Sequence, residues 1–489
     1  MIRLTTNEPG FANDLAEEIR LFLPAAEVFA DAPRSEYAQD EVRVLFEERG
    51  GAWIARAEYL RGCDVLDEYV HSAPAVEGSA LLRKRHAKRC MKVAVFRLMR
   101  KRFPEVCVPW GSLTGIRPTR LFRELERDVG SEAAIELLRS EFDVEASKLR
   151  LVREIADVQR PILAAQTARD VDVYIGIPFC KTRCLYCSFA SSIRTASTDM
   201  EAYLNALFHD IELGAKLVAQ TGRRVRCMYV GGGTPTVLTA AELDALLSRA
   251  LAAYGASGVE FTVEAGRPDT IDAEKLDVMR AQGVSRISVN PQTMNAHTLE
   301  LVGRRHSVEA VEDAVALARA KGFSTVNMDV IVGLPNETAE DVARTMERIV
   351  ALAPENLTVH TLAIKRSSAL KAQLCEYDLP DADVAEEMVM AGYSAAQSLK
   401  MRPYYMYRQK YMRGNLENVG YAREGAECVY NVDMMEDTTS IMAHGAGAMT
   451  KVVYDAERRI ERVANPKDIA TYIQKVERVY DVKRALFGG

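Results

Sequence analysis

Three cysteines lie within eight residues, in the pattern Cys180-x-x-x-Cys184-x-x-Cys187. They follow directly after the apolar run Val171–Ile177, so we expect them at the end of a strand. Three thiolates in this spacing can hold three irons of a 4Fe-4S cube and leave the fourth iron open to another molecule. A structural zinc site would be closed by a fourth ligand, and no fourth cysteine is near. The spacing favours an open iron–sulfur cluster, with zinc or redox-active thiols as the alternative.

Polar and glycine residues follow the next predicted strands. Gly231-Gly-Gly-Thr-Pro235 comes after the second strand, where glycines let the backbone approach a ligand and offer its N–H groups. Alone, this segment could be a tight connection between a strand and a helix. Glu264 ends the third strand, Gln292 and then Arg304 follow the fourth, and Asp329 lies in the fifth. Inward polar groups need partners, which a nucleoside with an amino-acid tail would supply; alternatively, Glu264 and Arg304 pair with each other.

Alternating apolar runs and helical periods predict the framework that positions these residues. The predicted strands are Val171–Ile177, Val225–Val230, Val259–Val263, Arg286–Asn290, Thr325–Val332 and Asn356–Ile364. The predicted helices between them are Met200–Ala219, Ala240–Tyr254, Asp272–Gln282, Val308–Lys321 and Ala339–Leu352. This alternation predicts an α/β fold with a parallel sheet, built as an open or partial (β/α)6 barrel. Its chemistry should collect at the carboxyl ends of the strands, where the cysteines fall.

The sequence on either side of this core has a different pattern. Residues 1–165 are predicted to form an α+β accessory domain, residues 166–400 the barrel, and residues 401–489 a C-terminal α+β extension that acts as a lid on the substrate side. The accessory domain should contain helices at Asp14–Phe22 and Ser79–Lys101 and strands at Glu41–Phe46 and Ala52–Tyr59. The extension should contain a hairpin and a closing helix at Pro466–Val479.

Composition excludes several classes of protein. A chain of 489 residues with 48% hydrophobic content can bury a large core. A net charge of -6 argues against nucleic acid as the main partner. No apolar run is long enough to span a membrane, and the N-terminal residues lack the pattern of a secretory signal. The other cysteines are scattered singly, which suggests a reducing, cytoplasmic location.

Together, the cysteine and glycine motifs resemble the radical S-adenosylmethionine (SAM) superfamily, whose glycine motif holds the methionine amino group near the open iron. A narrower resemblance is to the oxygen-independent coproporphyrinogen III oxidase family. It is carried by Tyr174-Ile-Gly-Ile-Pro-Phe-Cys180, Val302-Gly-Arg304 and Asp329-Val-Ile-Val-Gly-Leu-Pro335. The segments from Trp110 to Pro118 and from Tyr407 to Tyr421 resemble the HemZ branch of that family, which has an extra N-terminal domain.

The resemblance implies which residues form the site. Cys180, Cys184 and Cys187 would hold a 4Fe-4S cluster that initiates radical chemistry, and one or two SAM molecules would bind. The residues implied to contact SAM are Tyr174, Tyr186, Gly232, Gly233, Thr234, Glu264, Gln292, Arg304, Asp329 and Ala363.

The implied activity is the oxidative decarboxylation of coproporphyrinogen III. A reduced cluster would cleave SAM, and the 5′-deoxyadenosyl radical would take a β-hydrogen from a substrate propionate. Loss of CO2 and an electron would leave a vinyl group, and two such steps would give protoporphyrinogen IX in haem biosynthesis. The implied partners are the porphyrinogen and a low-potential electron donor of the flavodoxin or ferredoxin type.

Departures from the oxidase pattern keep two other functions open. Well-characterised oxidases have a further cysteine two residues after the third ligand, where this chain has Phe189. HemW-type relatives share this departure, and they bind haem and are regarded as haem chaperones. Against the chaperone reading, Gly414 stands where the HemW-type segment has a histidine. The other function is a radical SAM enzyme that acts on haem or another tetrapyrrole.

Two basic segments are further candidates for binding acidic groups. The predicted helix around Arg83-Lys-Arg-His-Ala-Lys-Arg89 could receive a tetracarboxylate or an acidic electron donor, but a solvated face on an amphipathic helix is the favoured explanation. Arg408 and Lys410, beside Tyr404, Tyr405 and Tyr407, are better candidates for propionate recognition because arginine pairs well with carboxylates. An exposed edge hairpin is the alternative for this second segment.

Overall fold

The computed structural model describes residues 1–24, 26–30, 40–115, 117–409, 412–454 and 459–488. The chain forms two compact units, Met1–Val152 and Arg153–Gly489. In the described residues, no helix is both long and apolar enough to cross a membrane. The division predicted from the sequence places the first boundary at residue 165 rather than at residue 152. It also separates residues 401–489, which belong here to the second unit.

The first unit is built on one mixed sheet with the strand order β2-β1-β3-β4-β5. Its strands are β1 (Ile2–Thr6), β2 (Val28–Ala30), β3 (Asp40–Arg49), β4 (Ala52–Arg61) and β5 (Asp64–Pro74). The helices that begin in this unit are α1 (Ala12–Phe22), α2 (Ala80–Arg102), α3 (Pro118–Val129), α4 (Ser131–Ser140) and α5 (Ala146–Ala164). One face of the sheet packs with α1 and α2 around a core that includes Leu15, Trp53 and Met91. The four elements predicted here are present within a few residues, whereas β5 was missed because its side chains are mostly exposed.

The basic residues of α2 are mostly ion-paired. Eight of its lysines and arginines form salt bridges with carboxylates of the first unit, for example Arg85 with Glu124 at 2.9 Å and Arg97 with Asp143 at 2.8 Å. Several of these side chains remain exposed, which agrees with the predicted solvated helix face and adds that its charges are paired.

The second unit contains an eleven-stranded sheet among its described residues, with the order β14-β15-β13-β12-β11-β10-β9-β6-β16-β17-β18. Its strands, with a separate small pair β7 and β8, are β6 (Asp170–Ile177), β7 (Phe179–Cys180), β8 (Ser192–Ile193), β9 (Arg224–Gly232), β10 (Glu260–Glu264), β11 (Arg286–Ser288), β12 (Thr325–Val332), β13 (Asn356–Thr361), β14 (Arg402–Tyr407), β15 (Asn418–Ala422), β16 (Ser440–His444), β17 (Met449–Tyr454) and β18 (Arg459–Ala464). The six strands β6, β9, β10, β11, β12 and β13 pair in parallel. The partial (β/α)6 barrel predicted from the sequence is confirmed.

The helices of this unit connect the strands or cover the sheet. They are α6 (Met200–Gln220), α7 (Ala240–Tyr254), α8 (Ala273–Ala281), α9 (Ala296–Leu301), α10 (Val308–Ala320), α11 (Ala339–Leu352), α12 (Ala369–Ala372), α13 (Ala382–Ser398), α14 (Val429–Glu436) and α15 (Ile469–Gly488). Thr338 caps α11 reciprocally: its hydroxyl accepts from the Asp341 N–H, and the Asp341 carboxylate accepts from the Thr338 N–H. Gly283 and Gly322, with φ of 75° and 83°, follow the ends of α8 and α10.

The tail after residue 400 extends the same sheet at both edges. β15 pairs antiparallel with β13, and β14 pairs antiparallel with β15. At the other edge β16 lies parallel to β6, with Ser440 opposite Val171 and His444 opposite Ile175. The first strand of the barrel is thus completed by a strand about 270 residues later in the chain.

A buried charged network fixes this late strand. Asp210 of α6 accepts hydrogen bonds from Lys483 Nζ at 2.9 Å and from the Tyr472 hydroxyl at 2.9 Å, and the Gly445 N–H donates to it at 3.2 Å. His444 Nδ1 lies 3.1 Å from the same carboxylate. Burial alone would raise the pKa of Asp210, but Lys483 and His444 hold it well below its usual value. We call these five residues the Asp210 network.

Candidate functional site

The three cysteines lie where β6 ends, as predicted. Cys180 ends β7, which follows β6 after one residue, and Cys184 and Cys187 lie in the next loop. All three thiols are partly exposed. In the part of the chain that the structure describes, no three His, Cys, Asp or Glu side chains converge on a point that could hold one metal ion.

The cysteine loop is held by neighbouring loops at the carboxyl ends of the strands. The Leu185 N–H donates to the Val302 carbonyl at 3.0 Å, and the Thr182 hydroxyl donates to the Gly303 carbonyl at 3.0 Å. On the other side, the Leu370 N–H donates to the Leu185 carbonyl at 3.0 Å. These backbone contacts fix the loop without using the thiols, which remain available to a cluster.

The glycine turn lies directly against the cysteine loop. A Cβ at Gly233 would lie 2.5 Å from the Phe179 carbonyl oxygen and 2.9 Å from Cys180 Sγ, so only glycine fits. The N–H groups of Gly233 and Thr234 donate to the carbonyls of Ile177 and Phe179, both at 2.8 Å. Both N–H groups therefore join the turn to β6 and β7. They do not face a ligand, contrary to the expectation from the sequence. The Thr234 hydroxyl lies 3.6 Å from Cys180 Sγ.

Glu264 lies at the end of β10, next to the glycine turn. Its carboxylate accepts a hydrogen bond from the Tyr229 hydroxyl at 2.6 Å, and a Cβ at Gly231 would lie 2.9 Å from its Cδ. Burial and the nearby Asp329 carboxylate raise its pKa to about 7, while the Tyr229 and Gly232 hydrogen bonds oppose the shift. A carboxyl group in this state is half ionised near neutral pH and is stabilised in its charged form by a cationic ligand.

Arg304 lies beside the second cysteine. Its guanidinium group contacts the Tyr186 hydroxyl and the Cys184 thiol, and it also donates to the Asn290 carbonyl. Burial raises the pKa of Tyr186, the neighbouring Arg304 opposes this shift, and Cys184 adds to it, so the pKa stays above its usual value. Arg304 therefore does not pair with Glu264, and that alternative from the sequence is excluded by the structure.

Several buried polar atoms in this region have no hydrogen-bond partner among the described residues. They are Asn290 Oδ1, Gln292 Oε1 and Arg304 Nε. Gln292 adopts a left-handed backbone with φ of 69°, and its N–H donates to the Asp329 carbonyl at 3.0 Å. Left-handed non-glycine residues are strained and cluster at ligand sites. We call Glu264, Asn290, Gln292, Arg304 and Asp329 the strand-end cluster.

Asp329 in β12 belongs to a polar group that extends to β14. Asn327 donates to its carboxylate at 2.8 Å, and His360 Nε2 lies 3.8 Å from it. Burial opposes ionisation, but hydrogen bonds from His360 and Asn327 keep the pKa of Asp329 below its usual value. His360 Nδ1 lies 3.1 Å from the Tyr407 hydroxyl. Sequence reasoning missed His360, although a polar residue near the end of the predicted strand Asn356–Ile364 was the available signal.

Tyr174 and Ala363 complete the predicted residues. The Tyr174 ring stacks 6.3 Å from Tyr229 and 6.0 Å from Tyr430, with interplanar angles of 20° and 17°. This aromatic stack supports the strand ends beneath Glu264. Ala363 forms an isolated bridge with Met412, and no contact in the described residues joins it to the strand-end cluster.

The candidates for propionate recognition on β14 are largely committed elsewhere. Tyr404 and Tyr405 are buried in the core, which contradicts the exposed-hairpin alternative. Arg408 is also buried and donates to the Asn415 carbonyl at 3.1 Å. Lys410 lies outside the described residues. Tyr407, through its contact with His360, is the member of this segment that joins the site.

Comparisons with known proteins agree with this geometry. Residues 174–349 match the family described as the Radical SAM superfamily. The chain is 37% identical, over 76% of its length and 76% of the relative, to the oxygen-independent coproporphyrinogen-III oxidase-like protein HemZ of Bacillus subtilis. It is 27% identical to the heme chaperone HemW of Haemophilus influenzae over 61% of this chain and 75% of that one. The solved coproporphyrinogen III oxidase HemN of Escherichia coli superposes with a TM-score of 0.52 at 24% identity, covering 66% of this chain and 72% of that structure.

The fold, the cysteine loop and the glycine turn define a radical SAM enzyme, a class whose members use a 4Fe-4S cluster and SAM. Within that class, the chain belongs to the oxygen-independent coproporphyrinogen III oxidase-like family, in its HemZ branch.

Proposed function

We propose that this enzyme converts propionate groups of coproporphyrinogen III to vinyl groups without oxygen and so forms protoporphyrinogen IX. The observation that carries the proposal is the contiguous site at the strand ends, where Gly233 packs on Cys180 and Arg304 contacts Cys184. The likeness to HemZ, a protein named as oxidase-like, supports the choice of substrate.

Cys180, Cys184 and Cys187 would hold the cluster, and the cluster with SAM supplies, when bound, a radical that can take hydrogen from an unactivated carbon. The protein's own task is to hold the amino-acid tail of SAM beside the thiols. Arg304 is suited to the SAM carboxylate because its Nε has no partner and its group already lies beside Cys184. The ammonium group of this tail would donate to backbone carbonyls of the glycine turn, because the Gly233 and Thr234 N–H groups are already bonded to β6 and β7.

Glu264, Asn290 and Gln292 would bind the rest of SAM. The free Oδ1 of Asn290 and the free Oε1 of Gln292 are acceptors that the ribose hydroxyls or the adenine amino group can satisfy. Glu264, with a pKa raised by burial to about 7, would ionise fully beside the positively charged sulfonium or ammonium group. Binding of SAM would therefore complete hydrogen bonds that the protein alone leaves open.

His360 and Tyr407 are suited to the substrate side. The pair presents two polar groups 3.1 Å apart beside the ionised Asp329. A propionate or pyrrole N–H of the substrate would find donors and acceptors there, and the packed tyrosines Tyr404 and Tyr405 behind the pair keep it in place. We assign this pair to orientation of the porphyrinogen rather than to bond breaking.

The test is an anaerobic turnover assay. Reconstituted, reduced protein is mixed with SAM and coproporphyrinogen III, and the porphyrin and nucleoside products are quantified. The expected result is vinyl-bearing product with one 5′-deoxyadenosine formed for each vinyl group. Cleavage of SAM without decarboxylation would retain radical chemistry and reject this substrate.

A matched pair of cysteine variants tests the ligand assignment. Cys184→Ser should lose the cluster and all SAM cleavage, because serine does not replace a thiolate ligand. Cys375→Ser is the control, since Cys375 is an exposed cysteine remote in sequence from the motif. Full iron content and activity in Cys184→Ser would remove this residue from the ligand set.

Haem binding is the second candidate function. HemW, a protein named as a heme chaperone, matches at 27% identity. Phe189, where the oxidases have a further cysteine, is 69% exposed next to the cluster loop and offers an apolar surface to a macrocycle. Tight haem binding with no SAM cleavage in the same assay would put this function first. For either function, we propose a cytoplasmic location, in keeping with the single, scattered positions of the cysteines outside the motif, and a flavodoxin- or ferredoxin-type donor for the oxidase.

A further inference from the structure

Arg89 is an exception on the basic helix α2. Eight of the ten lysines and arginines of this helix pair with carboxylates, and Arg89 and Lys84 do not form such a pair among the described residues. Arg89 instead lies over the Phe142 ring, with its guanidinium carbon 4.6 Å from the ring centroid. Lys84 lies over Phe11 at 5.9 Å. The two differ in exposure, because Arg89 is partly buried and Lys84 is exposed.

The guanidinium group of Arg89 lines a cavity of about 230 Å³ within the first unit. Trp53, His71, His86 and Phe142 line the same cavity. Burial and the neighbouring Arg85 lower the pKa of Arg89 to about 10, so the group is still charged at neutral pH. Burial and the nearby arginines also lower the pKa values of His71 and His86, which keeps both rings neutral. The cavity thus holds one fixed positive charge among aromatic rings.

An unpaired charge that has lost water is unfavourable for the fold by itself. Protein interiors normally pair such groups, as eight other basic residues of α2 are paired. Two carboxylates act on Arg89 without forming an ion pair with it. Glu124 is paired with Arg85 and Arg120, and Glu141, which lines the cavity, is exposed. The arrangement is explained if the missing partner is a ligand.

The size and lining of the cavity restrict the ligand. At about 30 Å³ for each molecule of liquid water, the volume equals that of roughly eight waters. This is space for one five- or six-membered ring with a short acid chain. The positive charge calls for an anion, and the planar guanidinium group matches a carboxylate. Trp53 and Phe142 supply apolar ring surfaces.

We propose that this cavity, the Arg89 pocket, binds an aromatic carboxylate, with the acid group on Arg89 and the ring against Trp53 and Phe142. Two sources share this chemistry: a small free aromatic acid, and one acid-bearing ring of a porphyrin-type molecule. The second source would make the first unit a recognition element for the substrate or product, and only that identification rests on the proposed function.

Binding is measured by calorimetry on the full chain without a cluster, so that failure of turnover cannot affect the result. The probes are 3-phenylpropionate as the single-ring acid and coproporphyrin III as the macrocycle. Trp53, one of two tryptophans in the chain, gives an independent signal through its fluorescence. At least one probe should bind and change this fluorescence. If the macrocycle displaces 3-phenylpropionate, the porphyrin-type source is supported; if only the single-ring acid binds, the free acid is the ligand.

Arg89→Met removes the charge and should weaken binding about tenfold or more, since a hydrogen bond to a charged group contributes about 1.5 to 3 kcal/mol. Lys84→Met is the matched control on the same helix and should leave affinity unchanged within twofold. Because Arg89 has no ion pair to lose, Arg89→Met should unfold at the same temperature as the native protein or higher. A purely structural arginine would give the opposite result.

Two further variants keep the test decisive if Arg89→Met folds poorly. Val76→Phe fills the cavity while retaining Arg89, and it should abolish binding. Glu141→Gln removes the acidic group at the rim and should strengthen binding. The proposal is overturned if neither probe binds at millimolar concentration, or if Arg89→Met and Val76→Phe bind as tightly as the native chain.

Discussion

The Asp210 network and the strand-end cluster are two groups of charged side chains in the same unit, each next to a strand of the parallel sheet. Asp210 receives donors on both oxygens, from Lys483 on one and from Tyr472 on the other. In the strand-end cluster, Gln292 and Arg304 retain buried atoms without partners. The groups also differ in exposure, since the Asp210 network is buried whereas Glu264, Gln292 and Asp329 are partly exposed.

The contrast shows how to separate a structural role from a binding role. Lys483 and His444 hold the pKa of Asp210 low after burial is overcome. Glu264 accepts its hydrogen bonds from the neutral Tyr229 and Gly232 groups, and burial leaves its pKa near 7. A buried charge that is fully paired within the protein has a structural role. A buried charge that is not fully paired is available to pair with a bound ligand. Substitutions in the Asp210 network should therefore change stability, and substitutions in the strand-end cluster should change binding.

The largest effect is expected from Lys483→Met. Removing one partner of a buried ion pair leaves Asp210 charged in a closed environment, which should lower the free energy of unfolding by about 3 kcal/mol. Urea denaturation measures the loss. Lys475→Met, on the exposed face of the same helix, is the control and should change stability by less than about 0.5 kcal/mol. A stable Lys483→Met protein would show that the network does not hold the tail.

Two glycine-to-alanine variants, one beside each group, should differ in whether they lose stability or iron. At Gly214 in α6, an added Cβ would collide with the His444 ring and lie 3.0 Å from the Tyr254 hydroxyl. Overpacking of this kind costs about 1 to 3 kcal/mol, so Gly214→Ala should lose stability but retain iron in the folded fraction.

Gly233→Ala is the partner experiment. Its Cβ would lie 2.9 Å from Cys180 Sγ, so iron content after reconstitution should fall more than stability does. Equal losses of stability and iron in both variants would remove the distinction between the two groups.

Glu264→Gln should have a smaller effect, and on binding alone. The amide retains the size of the side chain but cannot become negative, so SAM affinity should fall about tenfold when measured by calorimetry on the reconstituted enzyme. The free energy of unfolding should stay the same or rise, because a desolvated carboxyl group is replaced by a neutral one. Glu347→Gln, exposed on α11, serves as the control. Unchanged SAM affinity would place Glu264 outside the site.

The smallest effect is a difference in pH dependence. The pKa of Glu264 rises from 4.5 to about 7 on folding, so the folded protein binds more protons between these values and its stability falls as pH rises through this window. Glu264→Gln should make that fall shallower in urea titrations from pH 4.5 to 7. Asp210, with a lowered pKa, should contribute fully throughout this window and lose its contribution only in strong acid.

The sequence predicted the parallel core well because each strand and helix there has its own local pattern. Thr325–Val332, Ala240–Tyr254 and Ala339–Leu352 match the structure at both ends. The cysteines, the glycine turn and Glu264 were found because they directly follow such strands. Which polar atoms remain unpaired was not predictable, since this depends on contacts such as Tyr229 with Glu264 across neighbouring strands.

The tail shows where local patterns fail. Nothing near residue 440 indicates that β16 will pair with β6, because that contact joins segments far apart in the chain. Tyr404 and Tyr405 were expected beside a site for propionate, with an exposed edge hairpin as the alternative. β14 is indeed an edge strand, but both rings are buried in the core. Arg408 was chosen for its charge alone, and its burial against Asn415 could be learned only from the fold.

The pairing of β6 with β16 also sets an order of events at the ribosome. Chains grow at about 5 to 20 residues per second, so Lys483 emerges roughly 15 to 60 seconds after Ile177. During that interval one edge of β6, the strand that leads into the cysteine loop, has no neighbour from the tail. Loading of iron and sulfur before Lys483 is made would therefore act on an incomplete sheet. A nascent chain needs protection at this edge, and the mature site is completed late in synthesis.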